Sequence, residues 1–457
     1  MRNGLIIGLF SLLGFVASTA AVASNTAGAG PVTHDFTLDN GLRVLLREDH
    51  RAPVAVSMLW YKVGSYDEAP GETGLAHLLE HMMFRGTGKL PPGDFSRLVA
   101  RFGGEDNAFT SYDFTAYFQK VEVSRLPLML ELEADRMRNL TISDEDFVRE
   151  RDVVMEERRQ RTDDNPSALA WEKYTAVTRP GSGYASPVIG WREELQNLAP
   201  QQARVWYNTW YVPSNATLVI AGDITRDEIE PLVRKFFGKV KGADAPPRQA
   251  PRLAYPPGER SVVIEAPVQV SSLYISYNVP TLATHPKDFY ALTMLAGVLD
   301  GGYSARIESD LVRGQKVLAG GGASYDGMSR ADGLLTLSAT PANGVSLETA
   351  ELALEAELEK LRTTKPSAAE MARVRAGVLS GRVFGMDSLF GQAMELGQLV
   401  TLGIDWRMGD QFAEQLAKVT PEDVQRVAQQ WLISQRRSIG HVIAPAPDKS
   451  AAALEKK

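Results

Sequence analysis

Gly74-Leu75-Ala76-His77-Leu78-Leu79-Glu80-His81-Met82-Met83-Phe84-Arg85-Gly86-Thr87 is the stretch on which the reading of this chain turns. Read as a helix, it places His77 and His81 four residues apart on one face, with their rings side by side. Glu80 lies on the flank of that face. Two imidazoles at this spacing can hold one Zn²⁺, while the carboxylate reaches a zinc-activated water and takes its proton. The order is H-x-x-E-H, the reverse of H-E-x-x-H. A polar pair on the wet side of an amphipathic helix is the alternative. It fits poorly, because Leu75, Leu78, Leu79, Met82, Met83 and Phe84 make the segment apolar nearly all round. Buried histidines and a buried glutamate need a purpose.

A catalytic zinc takes a third protein ligand and keeps one position open. Ser143 to Arg161 reads as a helix capped by Ser143, with Asp144, Glu145 and Asp146 in the first turn where the dipole favours them. Its apolar stripe carries Phe147, Val148, Val153, Val154 and Met155, and Glu150 and Glu157 interrupt it. Two readings stay open from the residues themselves. Either carboxylate is a candidate for the metal, or both are ion-paired to Arg151 or Arg161.

The rest of the chain sets the frame. At 457 residues it suits two domains of roughly 200 residues each. The net charge is −7 and no Lys/Arg block marks a nucleic-acid surface. Absence of cysteine excludes disulfides, thiolate nucleophiles and Cys-type zinc sites. Residues 1–23 have the layout of a signal peptide: Arg2, an uncharged apolar run from Leu5 to Val16, and Ala21-Val22-Ala23 before Ser24. That run is shorter than the ~20 residues needed to cross a bilayer. The expectation is a periplasmic or secreted protein without a stable membrane anchor.

Asp39-Asn40-Gly41 between two apolar runs signals a hairpin, and Val54 to Val63 a further strand. Residues 239–260 contain five prolines and few large apolar side chains. We expect a first domain at 32–240, a linker at 241–260, a second domain at 261–445 and a tail at 446–457. The halves echo each other: Ala52 to Leu59 and Ala266 to Leu273 agree at six of eight positions, at an offset of 214. The apolar helical segment Leu292 to Leu299 follows the second copy and has no His or Glu. An internal duplication follows, with metal ligands kept in the first copy only.

With these motifs in place, the chain resembles the pitrilysin/insulinase family of inverted-motif zinc peptidases, in its short-chain branch with the mitochondrial processing peptidases and their bacterial relatives. The resemblance spans about residues 35 to 445, and the stretch Gly74 to Thr87 matches the family signature closely. It implies an α+β fold of two homologous domains, each an antiparallel sheet with packed helices, together half of a clamshell. It implies one Zn²⁺ per chain, held by His77, His81 and Glu157, with Glu80 as general base and Glu150 supporting catalysis. Asn107-Ala108-Phe109-Thr110-Ser111 resembles the edge strand that holds substrate by β-augmentation. Arg313 matches a substrate-gripping Arg, but the family's Tyr seven residues on is Gly320 here, and the nearest downstream Tyr is Tyr325. The resemblance therefore implies a peptidase working with a homologous inactive subunit that carries the Arg/Tyr pair, a homodimer being the other arrangement. Some relatives are non-catalytic structural or binding subunits, and that is the competing function.

Overall fold

The computed structural model describes residues 32–248, 258–331 and 333–445. The expected export signal at 1–23 and the tail at 446–457 lie outside the described residues, as do 249–257 of the expected linker.

The described strands form two sheets. The first half supplies β1 (Thr33–Thr37), β2 (Arg43–Glu48), β3 (Val54–Tyr61), β4 (Glu105–Thr110), β5 (Thr115–Glu122) and β6 (Ala216–Gly222), in the order β1-β2-β6-β3-β5-β4. The second half supplies β7 (Arg260–Glu265), β8 (Ser272–Val279), β9 (Leu318–Asp326), β10 (Gly333–Pro341) and β11 (Arg437–Ile443), in the order β7-β11-β8-β10-β9. Without β1 the two orders are the same, so the halves are topological duplicates. The expected all-antiparallel pairing is broken once in each sheet, because β2 runs parallel to β6 and β7 parallel to β11. Those strands are joined through helices rather than hairpins, which is what parallel pairing requires. The β1–β2 turn is the expected hairpin: Leu38 N–H donates to Leu42 O at 2.9 Å, and Gly41 takes φ +88°.

The sequence echo at an offset of 214 is not the structural register. Tyr61 faces Ala216, and Tyr277 faces Arg437; both partners directly follow the short turns Pro213–Asn215 and Ser434–Arg436. Tyr277 is therefore the counterpart of Tyr61, an offset of 216 (277 less 61). The two-residue slip leaves each side chain on the same face, because strand periodicity is two. Val268 and Val270 lie ahead of β8 and match β3 in composition only.

Seven helices position the site and lock the halves: α1 (Leu75–Met82), α2 (Leu126–Asn139), α3 (Asp144–Arg158), α4 (Pro166–Thr178), α5 (Arg226–Phe236), α6 (Pro286–Leu299) and α7 (Leu389–Thr401). One face of the first sheet packs Val44, Leu46, Leu59 and Tyr61 against α1 and its neighbours. The other face carries Leu45, Val56, Met58 and Trp60, and α7 of the second half covers it with Ala393, Leu396 and Val400. The exchange is reciprocal. Helix α4 of the first half lays Ala170 and Tyr174 on Ile264 and Val442 of the second sheet. Close approach demands glycine at both crossings. A Cβ at Gly397 would lie 2.0 Å from Trp60, and one at Gly440 would lie 2.4 Å from Tyr174. Helix α6, counterpart of α1, is packed with Leu292, Met294, Leu295 and Val298 where α1 carries its polar groups.

Candidate active site

Helix α1 begins in a tight place. Its N-cap, Gly74, has φ +88°, and a Cβ there would sit 2.6 Å from Ile189 O. A glycine has no side chain to cap with, so Glu68 does it: its carboxylate accepts from Gly74 N–H at 3.0 Å and Ala76 N–H at 2.8 Å. This fixes the helix start at Leu75, two residues before His77.

Helix α3 crosses α1 and delivers two carboxylates. Ser143 caps it as expected, accepting from Asp146 N–H at 3.0 Å. Glu157 Oε2 lies 3.4 Å from His81 Nε2 and 3.9 Å from His77 Nε2. One ligand atom from each of His77, His81 and Glu157 lies within 4.8 Å of the others. Four ligands at zinc bond lengths stand about 3.3 Å apart in a tetrahedron, so this donor set fits zinc with small adjustments. Two nitrogens and one carboxylate oxygen are the donor chemistry zinc prefers, with one position left for water or substrate. The three side chains are 12, 23 and 16% exposed, so they reach the cleft and are not sealed in the core.

The supporting contacts set the protonation states. Burial and the neighbouring His81 push the His77 ring down to about 4, so it is neutral and ready to ligate. Among the described residues His77 Nδ1 has no partner. Burial opposes a charge on His81 too, but hydrogen bonds to Glu150 and Glu157 outweigh it and raise the ring to about 9. The Glu150 contact is to Nδ1, at 3.2 Å, which leaves Nε2 facing Glu157. Glu150 is itself ion-paired to Arg85, and Glu157 to Arg161. Of the two partners considered from sequence, Arg161 is real; Arg151 instead donates to Gln196 O at 3.3 Å. The Glu157 carboxylate faces both histidines and Arg161, so one geometry accommodates the ligand and the ion-pair readings.

Glu80 is buried at the floor of the cleft, where desolvation raises its carboxyl above the ordinary range. The Thr110 hydroxyl donates to it at 2.5 Å and sets its direction. Thr110 ends β4, the outermost strand, which pairs with β5 on one side and leaves its other edge open. The cleft of about 550 Å³ runs between that edge and α3, and Val188 and Ile189 close one end. Asn107 lines the cleft, and its side-chain oxygen turns back on the Ala108 N–H at 2.9 Å. Ala108 packs on the α1 side. The Phe109 ring stacks edge-on against Trp60 and Phe114 on the opposite face, so this residue offers the cleft its backbone and not its ring.

Arg313 is not brought to this group. It lies in the π-helical segment Ile307–Gly314 of the second half, with its guanidinium 3.7 Å over the Tyr303 ring, donating to Tyr303 O at 2.6 Å and facing Glu308 at 3.3 Å. Gly320 is in β9, and the Tyr325 hydroxyl donates to Pro280 O. The residues lining the cleft all come from the first half. Sequence reading passed over Thr110 as a partner of Glu80, Arg85 as a partner of Glu150, and Glu68 as the cap. Arg85 stood inside the motif, but nothing in its spacing to Glu150, 65 residues on, gives a signal.

Comparison with known proteins agrees with this geometry. Residues 43–190 match the insulinase domain of peptidase family M16, and residues 197–378 match the M16 inactive domain. The chain is 31% identical to the zinc protease PqqE of Helicobacter pylori over 363 residues, 78% of this chain and 81% of that one. It is 24% identical over 421 residues to the β subunit of the mitochondrial-processing peptidase of Lentinula edodes, covering 90% and 89%. The crystal structure of a protease from Helicobacter pylori superposes with a TM-score of 0.84 at 27% identity, covering 90% of this chain and all of that one. The periplasmic protease PqqL of Escherichia coli shares the fold, at a TM-score of 0.78 and 22% identity, over 93% of this chain and 50% of that one. Two sheets in duplicate topology, a histidine pair with its glutamates in the first copy, and these matches place the chain in the insulinase family of peptidases, M16.

Proposed function

We propose that this protein is a zinc-dependent endopeptidase that cuts extended peptide segments. One observation carries the reading: His77, His81 and Glu157 converge beside Glu80, directly under the open edge of β4. His77, His81 and Glu157 would hold the ion. Bound zinc supplies Lewis-acid activation of water and of a peptide carbonyl. Glu80 takes the proton from the attacking water and passes it to the leaving amine, a task its raised carboxyl suits at neutral pH. Thr110 aims Glu80, and Glu150 fixes the His81 ring. The edge of β4 near Asn107 and Ala108 aligns the substrate backbone as an added strand, which gives affinity with little demand on sequence.

The working unit in this proposal is a dimer enclosing a chamber, with a homologous partner that supplies the Arg/Tyr pair. Support comes from a cleft lined by one half only and from an Arg313 engaged by Tyr303 and Glu308. Export is proposed from the layout of residues 1–23. Among the described residues no helix is long and apolar enough to cross a membrane.

Glu80→Gln tests the chemistry. It keeps the side chain's size and a neutral acceptor for Thr110. Zinc content should stay at one per chain while peptide turnover falls by about a thousandfold or more. Near-normal turnover would refute the assignment. Assaying the chain purified alone, with its mass by light scattering, tests the partner. Full activity of a monomer would refute it.

A further inference from the structure

A second cleft lies away from the metal group, between the C-terminal ends of α2 and α5. Its volume is about 690 Å³, within the range of small-molecule sites. Lys89, Arg138, Lys235, Lys239 and Lys241 line it, with Glu131 and Asp135 as the acidic residues. The chain as a whole carries −7, yet this one cleft holds five cations against two carboxylates. Four of the chain's fifteen lysines meet here.

Internal bonding accounts for part of this charge only. Arg138 donates to Tyr211 O at 3.2 Å, and Lys235 lies 4.8 Å from the Phe236 ring centre. Both sit in the last turn of a helix, where a cation answers the dipole. Lys89 is 3.6 Å from Asp135, a carboxylate already held by Thr87 at 2.6 Å and Asn139 at 2.8 Å. Lys239 and Lys241 follow α5 outside any helix, and no carboxylate lies within salt-bridge distance of either among the described residues. Like charges gathered in a concavity repel one another, and a counter-anion relieves that cost. Lysine ammoniums are compact point charges suited to phosphate oxygens.

We infer that this cleft binds an anion carrying two or more phosphate groups. The cations come from three separate segments: the loop after α1, helix α2, and α5 with its following loop. The surplus of three positive charges (five cations less two carboxylates) exceeds the roughly −1.5 to −2 that one phosphate group carries. The same chemistry is offered by a soluble oligophosphate and by the headgroups of an anionic membrane surface.

The test uses the full chain and tripolyphosphate as probe, by calorimetry at 50 mM and 500 mM salt, with a Lys239→Glu/Lys241→Glu variant alongside. In parallel, vesicles of phosphatidylglycerol are compared with vesicles of phosphatidylcholine by co-sedimentation. Expected is one tripolyphosphate per chain, at least about tenfold weaker binding in high salt, and at least about tenfold weaker binding by the variant. The variant's melting temperature should match the parent's, because both side chains are exposed. Sedimentation with phosphatidylglycerol vesicles alone, lost in the variant, assigns the phosphates to a membrane surface. Neither ligand binding the parent, or both binding the variant equally, overturns the inference.

Discussion

Glu150 is the residue whose replacement tests most of the site's logic. It touches no substrate atom in the proposed chemistry and acts through His81. Its carboxylate meets His81 Nδ1 at 3.2 Å, pairs with Arg85, and is 9% exposed, so solvent takes over neither contact. Glu150→Gln keeps the shape and a neutral acceptor but removes the charge. Hydrogen bonds to charged groups contribute about 1.5–3 kcal/mol and neutral ones about 0.5–1.5. The His81 contact should therefore weaken by roughly 1–1.5 kcal/mol, with a further cost for the Arg85 guanidinium left without its counter-charge. About 1.4 kcal/mol is a factor of ten, so zinc affinity should fall roughly tenfold to a hundredfold. Competition with a chromophoric chelator measures this directly. At saturating zinc, kcat on a quenched fluorescent peptide should fall while KM stays within about twofold, because β4 and its edge are untouched. Glu156→Gln on the same helix is the control. Glu156 is half exposed and pairs with Arg159 at 2.7 Å, so neither readout should move. Wild-type zinc affinity and kcat in Glu150→Gln would refute the positioning role.

Three further outcomes follow. Gly397→Ala places a methyl 2.0 Å from the Trp60 ring and should cost about 1–3 kcal/mol by urea unfolding; an unchanged midpoint would mean that α7 does not clamp the first sheet so tightly. Ala108→Pro removes one N–H from the β4 edge and should raise KM severalfold with zinc content unchanged, whereas a pure fall in kcat would count against strand addition. Glu370 caps the helix Ala368–Met386 through Ser367 N–H at 2.8 Å and pairs with Arg306 at 2.7 Å; these contacts outweigh burial and hold its carboxyl down at about 2. A depressed folded pKa adds stability that is fully present above the ordinary carboxyl range and lost as pH falls towards 2. After discounting for solvent screening, Glu370→Gln should lower stability at pH 7 by about 1 kcal/mol and make no difference near pH 2. A gap that persists at pH 2 would refute the charge origin.

Much of the site was written locally. The spacing of His77, Glu80 and His81 needs only a helix to become geometry, and a helix is a local structure. The β1–β2 turn was legible for the same reason, because Asn40-Gly41 sets its own dihedral angles. Glu150 and Glu157 could be picked out as carboxylates in an apolar stripe, but their use could not. Whether Glu157 met the histidines, Arg161 or both depended on how α3 crosses α1, and that is set by packing of residues far apart in sequence. The echo between the halves pointed to duplication but misplaced the register by two, since short identities do not report hydrogen-bond partners. Phe109 stood beside Ala108 in the sequence and turned its ring to the opposite face, away from the metal group, through strand alternation.

The sequence alone determined the zinc-type motif and the helix that carries it, because both rest on near-neighbour spacing, and it pointed to two related halves through one short pattern repeated 214 residues on. Only the tertiary structure decided that Glu80 answers to Thr110, that Glu150 holds His81, and that each half lends a helix to cover the other's sheet. Those are contacts between segments tens to hundreds of residues apart, fixed by close packing around Trp60, Gly397, Tyr174 and Gly440, and no local pattern encodes them.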